Sequence, residues 1–365
     1  MDSAEGFRND NIEILNPAPQ PSLCCGSANG KMPDGIVNAK QIASQQGVRS
    51  NTMPPLGSNA DETLKHSVVL LAGATGYVGG RLIPLLEQQP VTLRCLARNP
   101  DKLRATVKHC TQVVQGDVLD AASLEKALQG VHTAYYLVHL MSGSKDFEKE
   151  DRQAAENFAA AAKKARVQRI IYLGGLGDDA DPKLSPHLRS RHEVGRILRD
   201  SGVETIELRA SLVIGTGSLS FDLVKSLTDR LPVMLCPSWL TTPTQPIAVD
   251  DVLAYLQAAR MLPPGESRIF EIGGNDVTTY GGMIREYARQ KGLRRWLISV
   301  PVLTPYLSSL WLALVTPASF EVGRHLIEGL KNPTVVLDKK ALEVFPIRPM
   351  GIREAIQKAL ASTTN

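Results

Sequence analysis

The sequence predicts an α/β fold in which a doubly wound parallel sheet is followed by a small C-terminal α/β lobe. From Ser67 onward, short β-branched runs alternate with amphipathic helical stretches, as parallel βαβ units do. The first apolar run leads into a glycine-rich turn, "GATGYVG", of the kind that joins the first strand and helix in such sheets. Hydrophobic residues make up 43% of the 365 residues, which is enough for one large core or two moderate ones.

Six strands and four helices are expected in the region of the sheet. The strands are expected at residues 68–71, 91–97, 112–115, 133–138, 169–173 and 204–208. The helices between them are expected at 79–88, 122–129, 146–165 and 187–200. After Ala210 prolines become more frequent, and the segments 243–256 and 268–290 are read as a strand, a capped helix and a further strand–helix unit.

The first 66 residues have the composition of a disordered tail. They contain six prolines, six glycines and one aromatic residue, Phe7, and such segments lack the apolar surface that a core requires. The tail has no apolar run of signal-peptide type, and its 5 basic and 7 acidic residues differ from the Arg-rich, acid-poor composition of a transit peptide. We therefore interpret it as an appended tail that carries no targeting signal.

Charge and cysteine content exclude some classes of function. The chain has 41 basic and 37 acidic residues, a formal charge of +4, which is too small and too dispersed to predict nucleic-acid binding. Its five cysteines include no C-x-x-C pair, so neither a disulfide framework nor a zinc site is predicted. A reducing, cytoplasmic compartment and small-molecule chemistry fit this composition best.

Residues 296–320 form a stretch of 25 residues without a charge. Pro301 and Pro305 interrupt its first half, which leaves 306–315 as a continuous apolar helix that is too short to cross a bilayer. We expect this stretch to be an apolar wall of the lobe, with Trp311 packed against a cleft or a partner. A peripheral contact with a membrane or with a protein partner through 296–320 is the alternative.

The glycine-rich turn has the spacing that a pyrophosphate requires. Gly73 allows the sharp exit from the strand, Gly76 allows the backbone to approach phosphates, and Gly79 allows the helix to pack on the strand. The helix N-terminus supplies N–H donors and a partial positive charge, and Thr75, Tyr77 and Val78 complete the expected contacts of the turn. No G-K-[S/T] follows, so the phosphate loop of an NTPase is excluded.

Arg98 occupies the position after the second strand where dinucleotide folds read the ribose. An acidic residue there would bind the 2′-hydroxyl of NAD, whereas an arginine can bind the 2′-phosphate of NADP, so NADP(H) is preferred over NAD(H). The alternative is a solvated surface arginine in a basic loop. Asp117, after the third strand, is expected near the adenine, and Val118 and Val138 are expected along the cofactor.

These motifs resemble those of a known superfamily. The segments "AGATGYVGGRLIPLL", "GDVLD", "PIAVDDV" and "FEIGGNDVTTYGGMI", together with Arg98, are similar to the atypical and extended short-chain dehydrogenase/reductases, nearest to the NmrA-like NAD(P)H-binding branch and to relatives of the accessory subunit of respiratory complex I. The resemblance implies a Rossmann NAD(P)-binding domain over 67–210. It also implies a substrate lobe over 211–365, with C-terminal helices and some segments that return to the sheet.

The resemblance also implies a catalytic set that this chain lacks. Active members have a serine on the fifth strand, and a tyrosine followed four residues later by a lysine. Here Gly174 and Gly175 stand at the serine position, and His187 and Arg191 align with the tyrosine and the lysine. His187 as a general acid and Arg191 as a ribose ligand are the candidate catalytic residues. The alternative is a loop histidine and a helix-surface arginine.

Other patterns in the sequence are weaker indications of a functional site. The one Y-x-x-x-K, Tyr287 to Lys291, lies in the lobe and is interpreted as chance. Asp178, Asp179 and Asp181 are interpreted as a solvated turn, and no metal site is predicted.

Two functions remain open. The first is an NADP(H)-dependent oxidoreductase or isomerase without the usual Ser-Tyr-Lys set, acting on a small or apolar carbonyl substrate. The alternative is a dinucleotide-binding protein without turnover, such as a redox sensor or a respiratory-complex assembly or accessory protein.

Overall fold

The structure, a computed structural model, describes residues 66–140, 146–236, 238–299 and 329–362. The expected tail and the helix expected at 306–315 with Trp311 lie outside these residues. The division of the chain at residue 210 stays a prediction.

Thirteen strands are present in the described residues. In chain order they are β1 Val68–Ala72, β2 Thr92–Ala97, β3 Gln112–Gln115, β4 Val131–Tyr136, β5 Arg169–Gly175, β6 Glu204–Ala210, β7 Val213–Ile214, β8 Val233–Cys236, β9 Pro243–Thr244, β10 Ile247–Ala248, β11 Arg268–Ile272, β12 Thr278–Thr279 and β13 Trp296–Ser299.

Ten α-helices lie between and after these strands in the described part of the chain. They are α1 Tyr77–Leu86, α2 Pro100–Arg104, α3 Ala121–Leu128, α4 Phe147–Lys164, α5 Pro186–Asp200, α6 Leu219–Arg230, α7 Val249–Arg260, α8 Tyr280–Gln290, α9 Lys340–Val344 and α10 Ile352–Ala361.

Seven strands form one parallel sheet in the order β11-β6-β5-β4-β1-β2-β3. The strand order reverses at β1, which pairs with β2 on one side and β4 on the other. This is the doubly wound arrangement, in which ligands bind outside the carboxyl ends of the strands near the reversal. The predicted fold class is confirmed.

Helices cover both faces of the sheet. On one face the core includes side chains of α1 and α7, and on the other side chains of α3, α4 and α5. Tyr135 and Tyr136 point to opposite faces, as neighbouring strand residues must. The Tyr135 hydroxyl donates to the Leu256 carbonyl (3.1 Å), and the Tyr136 ring lies 4.8 Å from that of Phe158.

Two elements of the sheet differ from the expected ones. The fourth strand begins two residues earlier and ends at Tyr136, because β1 ends at Ala72 and the chain turns at Gly73, whose φ is +89°. The amide of Leu137 still donates to the Ala72 carbonyl (2.9 Å), after which the two strands diverge. The seventh strand, β11, was expected only as part of a later strand–helix unit, and it pairs in parallel with β6.

The start of the uncharged stretch is also different from the expected apolar wall. Trp296 and Ile298 lie on β13, which pairs in parallel with β8, and their side chains are 70% and 50% exposed. No helix among the described residues is long and apolar enough to cross a membrane.

Candidate functional site

A cavity of about 470 Å³ lies across the carboxyl ends of β1 to β6. It is lined by residues that follow or end these six strands, and it spans the reversal of strand order at β1. All eleven predicted site residues line it, and their roles stay predictions. They are Gly73, Thr75, Gly76, Tyr77, Val78, Arg98, Asp117, Val118, Val138, His187 and Arg191.

Close contacts explain the glycines of the turn. A β-carbon at Gly73 would lie 2.5 Å from the Leu137 carbonyl oxygen, and one at Gly79 would overlap the Gly73 carbonyl oxygen. The amide of Gly76, the N-cap residue of α1, donates to the Gly73 carbonyl (3.0 Å). The first N–H groups of α1 therefore lie at the edge of the cavity, and the first N–H groups of a helix have no intrahelical partner.

The Tyr77 side chain contacts the loop after β7. The Arg81 guanidinium lies 4.3 Å from the centroid of its ring, and its hydroxyl lies against Gly215, at which a β-carbon would overlap it. Burial raises the pKa of Tyr77, and Arg81 opposes that shift. Tyr77 therefore joins the glycine-rich turn to the 211–365 part of the chain.

Arg98 and Asp117 lie at one end of the cavity. The side chains that directly follow β2 are Arg98 and Asn99, both exposed, and no partner of the Arg98 guanidinium occurs among the described residues. Asp117 shapes the turn after β3, because its carboxylate accepts from the Leu119 amide (3.0 Å) and its amide donates to Ser123 Oγ (3.1 Å). This end can therefore present the Arg98 guanidinium, which has no partner among the described residues, to a phosphate.

The other end of the cavity has two glycines at the end of β5. A β-carbon at Gly174 would lie 3.1 Å from Glu207 Oε1, and one at Gly175 would lie 2.9 Å from Leu188 Cδ2. Both distances are shorter than ordinary van der Waals contacts. The packing behind β5 therefore leaves little room for the serine that the resemblance implies.

Arg191 is buried, with 6% of its surface exposed, so its interpretation as a helix-surface arginine is wrong. Its guanidinium donates to the carbonyls of Val138 (3.1 Å) and Leu173 (2.6 Å), and it lies 4.9 Å from the centroid of the Tyr172 ring. These contacts hold the ends of β4 and β5 together. They use two of the five N–H donors of an arginine.

His187 lies in the first turn of α5, so its interpretation as a loop histidine is also wrong. Its ring centroid lies 4.8 Å from that of His139, a cavity residue after β4 that the sequence analysis missed. The His139 side chain is exposed to the cavity. The protein around the cavity nevertheless desolvates the imidazole, and this lowers the pKa of His139 well below its ordinary value. The charges of Arg191 and His187 lower it further.

An ionic network lies behind the two glycines. Glu207, on β6 and fully buried, contacts Arg199 and Arg209, and Arg209 also contacts Asp179 (2.8 Å). His192 Nε2 lies 3.0 Å from the Gly175 carbonyl oxygen, and its Nδ1 lies 2.6 Å from Asp179 Oδ1. Buried charges of both signs compensate one another here, as burial of charge requires.

Two other sequence patterns lie outside the lining of the cavity. The hydroxyl of Tyr287 contacts the Asp229 carboxylate (3.1 Å), and Tyr287 does not line the cavity. Asp178 and Asp181 accept from backbone amides two residues on, as residues of a turn do. No group of three candidate metal ligands occurs in the described ranges.

Part of the chain that lines the cavity matches a known protein family. Residues 73–213 match the family described as NAD(P)H-binding. The chain is 28% identical over 233 residues to (4-alkanoyl-5-oxo-2,5-dihydrofuran-3-yl)methyl phosphate reductase of Streptomyces griseus, which covers 62% of this chain and 74% of that protein. It is 23% identical over 280 residues to the photosystem II assembly factor Ycf39 of Cyanophora paradoxa, which covers 74% of this chain and 81% of that protein.

Solved structures show the same fold. The NADPH-dependent quinone oxidoreductase of Escherichia coli, solved with NADPH, superposes with a TM-score of 0.63 at 20% identity over 81% of this chain and 100% of that chain. The chain therefore contains an NAD(P)H-binding domain, and its structural neighbours come from the atypical short-chain dehydrogenase/reductase, NmrA-like group that the sequence resembles.

Proposed function

We propose that the protein is an NADP(H)-dependent oxidoreductase that reduces an apolar carbonyl substrate without the usual Ser-Tyr-Lys set. The observation that carries this proposal is the extent of the cavity. One continuous space runs from Arg98 at the end of β2 to Gly174, His187 and Arg191 around the end of β5. Its lining residues therefore include those proposed for a phosphate-reading end and those proposed for a reacting end.

Two features support dinucleotide binding in this cavity. The turn at Gly73, Gly76 and Gly79 lets the backbone approach a pyrophosphate closely, and the first N–H groups of α1 can donate to it. Arg98 favours NADP(H), because a guanidinium can bind a 2′-phosphate through two parallel hydrogen bonds. When bound, the reduced cofactor supplies the hydride.

The residues at the reacting end support reduction of a carbonyl group. Gly174 and Gly175 line the cavity at the end of β5, and this is the position proposed for a flat ring. Arg191 fixes the ends of β4 and β5 on either side of that position, and His187 is the candidate proton donor. Leu140, Leu173 and Val213 line the same space and favour an apolar substrate.

The test is oxidation of NADPH by the purified full chain with a panel of carbonyl compounds that includes 4-nitrobenzaldehyde and 9,10-phenanthrenequinone. We expect at least one member to be reduced, with NADPH supporting faster turnover than NADH. A protein that binds NADPH but oxidises it with no member of the panel would contradict the proposal.

A dinucleotide-binding protein without turnover is the second candidate. Two observations favour it: none of the three usual catalytic side chains is present, and the similarity to an assembly factor extends over 280 residues. Under this alternative, NADPH would raise the unfolding temperature of the protein and would not be consumed.

A further inference from the structure

Ser211 is the first residue after β6, and it lines the cavity. In the sheet, Ala210 pairs with Gly175, so Ser211 lies one residue beyond the partner of that glycine. The cavity beside Gly174 and Gly175 is therefore lined by a serine that follows β6, although the packing behind β5 leaves little room for one on β5 itself.

Other hydroxyl groups of the cavity are placed differently. Thr75 lies in the glycine-rich turn, and Ser220 lies on α6. The Ser218 hydroxyl donates to the Val213 carbonyl (2.7 Å), which uses its proton. Ser211 is distinguished by partners that are themselves hydroxyl groups.

Three hydroxyls form a triangle behind the cavity wall. Ser211 Oγ lies 2.8 Å from Thr244 Oγ1 and 2.8 Å from Thr334 Oγ1, and the two threonine oxygens are 2.8 Å apart. Thr244 is fully buried and Thr334 is 6% exposed. The buried Tyr280 hydroxyl hydrogen-bonds to both threonines.

Backbone pairing fixes this cluster, so its geometry does not depend on side-chain packing alone. The amide of Thr334 donates to the Pro243 carbonyl (3.1 Å), and the amide of Gln245 donates to the Thr334 carbonyl (2.8 Å). Ser211 lies between β6 and β7, and the amide of Ile247 at the start of β10 donates to the carbonyl of the neighbouring Leu212 (2.9 Å).

The cluster has fewer protons than contacts. Each hydroxyl carries one proton and can accept from two donors, so four protons are shared among five contacts. In the order Tyr280 to Thr244, Thr244 to Thr334 and Thr334 to Ser211, three protons stay inside the cluster. The proton of Ser211 then goes either to Thr244 or to an oxygen in the cavity, while Ser211 still accepts from Thr334.

We propose that Ser211 donates a hydrogen bond to the carbonyl oxygen of the substrate, and that Thr334, Thr244 and Tyr280 form the path that supplies its proton. This inference rests on the proposed reductase function. As hydride reaches the carbonyl carbon, the carbonyl oxygen takes the proton of Ser211. Ser211 regains a proton from Thr334, Thr334 from Thr244, and Thr244 from Tyr280.

The product is an alcohol, and the negative charge ends on the Tyr280 oxygen. After the product leaves, water in the cavity returns a proton along the same path. Tyr280 is the member best suited to the end of the path, because phenols are more acidic than aliphatic hydroxyls. Burial raises the pKa of Tyr280 to about 12, and its hydrogen bonds to the threonines oppose that shift.

The first test is kinetic and uses 4-nitrobenzaldehyde and NADPH with the full chain. We expect Ser211→Ala to lower kcat by about a hundredfold, the typical loss for a donor to a developing oxyanion, with the Kd for NADPH within twofold of wild type. Ser211→Thr keeps the hydroxyl and should recover most of the rate. Tyr280→Phe should lower kcat, whereas Tyr287→Phe, which removes a buried hydroxyl outside the cluster, should not.

A proton inventory separates proton transfer from a structural role. In mixtures of light and heavy water, wild type should show a curved dependence of kcat on deuterium content, because several hydroxyl protons move together. Tyr280→Phe should reduce that curvature and Tyr287→Phe should keep it. A loss of kcat below twofold in Ser211→Ala, with the curvature of wild type, would overturn the proposal.

The second test needs no turnover. The probe is 4-nitroacetophenone labelled with carbon-13 at its carbonyl, added to the protein loaded with NADP⁺, which cannot give a hydride. We expect the carbonyl resonance to move downfield in wild type and Ser211→Thr but not in Ser211→Ala. If that pattern appears while no carbonyl is reduced, the reductase function fails and Ser211 remains the carbonyl ligand. A shift that is absent in wild type, or that persists in Ser211→Ala, rejects the role of Ser211.

Discussion

Gly79 lies so close to Gly73 that a β-carbon at position 79 would overlap the Gly73 carbonyl oxygen. The next residue, Gly80, has open space, since a β-carbon there would lie 3.7 Å from the Ala74 carbonyl oxygen. The same helix thus provides a glycine that the contact with the turn after β1 requires and a neighbouring glycine that this contact does not require.

We predict opposite effects for alanine at these two positions. Gly79→Ala should lower the free energy of unfolding by about 1–3 kcal/mol, the usual cost of overpacking, and should weaken NADPH binding because α1 must move away from the turn. Gly80→Ala should raise the free energy of unfolding by about 0.5–1 kcal/mol, the usual gain on replacing a helical glycine. Denaturant unfolding and calorimetry measure both. Equal stability of the two variants would show that α1 does not pack as described.

We predict that the protein loses stability on mild acidification, because the pKa of His192 is lowered in the folded state. Burial lowers the pKa of His192 below 6.5, and the charge of Arg209 is the next largest cause of this lowering. Asp179 and the Gly175 carbonyl raise this pKa, whereas Arg199 lowers it further. Because the folded state binds the proton less readily, the unfolded state holds more protons just below pH 6.5. This contribution to stability is therefore complete above the unfolded pKa and is lost as the pH falls below it.

The measurement is denaturant unfolding of wild type and His192→Gln at about pH 7.5 and about pH 5.5, on either side of the imidazole titration. Glutamine keeps a donor that can reach the Gly175 carbonyl and removes the titration. Wild type should lose more stability than the variant between the two values. Burial raises the pKa of Asp179, but Arg209, His192 and Arg199 together lower it by more, so Asp179 titrates further into acid than an ordinary aspartate. The same loss in both proteins would contradict the prediction.

Removal of residues 1–66 should leave folding and dinucleotide binding intact, because this stretch has too little apolar content to join a core. The truncated chain is compared with the full chain by thermal unfolding and by NADPH titration. A midpoint lowered by more than a few degrees would mean that the tail stabilises the folded part.

The sheet could be predicted because its signals are local. Each of the first six strands is a short apolar run beside a turn or helix signal, and every predicted strand overlaps an observed one. The position of β11 was not predictable in this way. Its sequence shows a strand, but pairing with β6 depends on how the intervening chain from β7 to α7 folds back.

The residues of the site also fall into two groups, those that the local sequence predicts and those that it does not. Gly73, Gly76, Gly79 and Arg98 follow strands directly, so the sequence predicts their place in the cavity. The cluster around Ser211 combines residues from positions 211, 244, 280 and 334, and no local pattern relates them. The burial of Arg191 was also missed, because its partners are backbone carbonyls, which the sequence does not display.

Calorimetric titration of NADPH and NADH tests most directly whether the cavity binds NADP(H) with Arg98 at the 2′-phosphate. Wild type should prefer NADPH, and Arg98→Ala should lose about tenfold or more in affinity for NADPH, which is 1.4 kcal/mol or more, with little change for NADH. Arg104→Ala is the matched control, since it removes a nearby charge that is paired with Asp101 (2.9 Å). Equal losses for both cofactors in Arg98→Ala, or wild-type binding of NADH as tight as that of NADPH, would contradict the account.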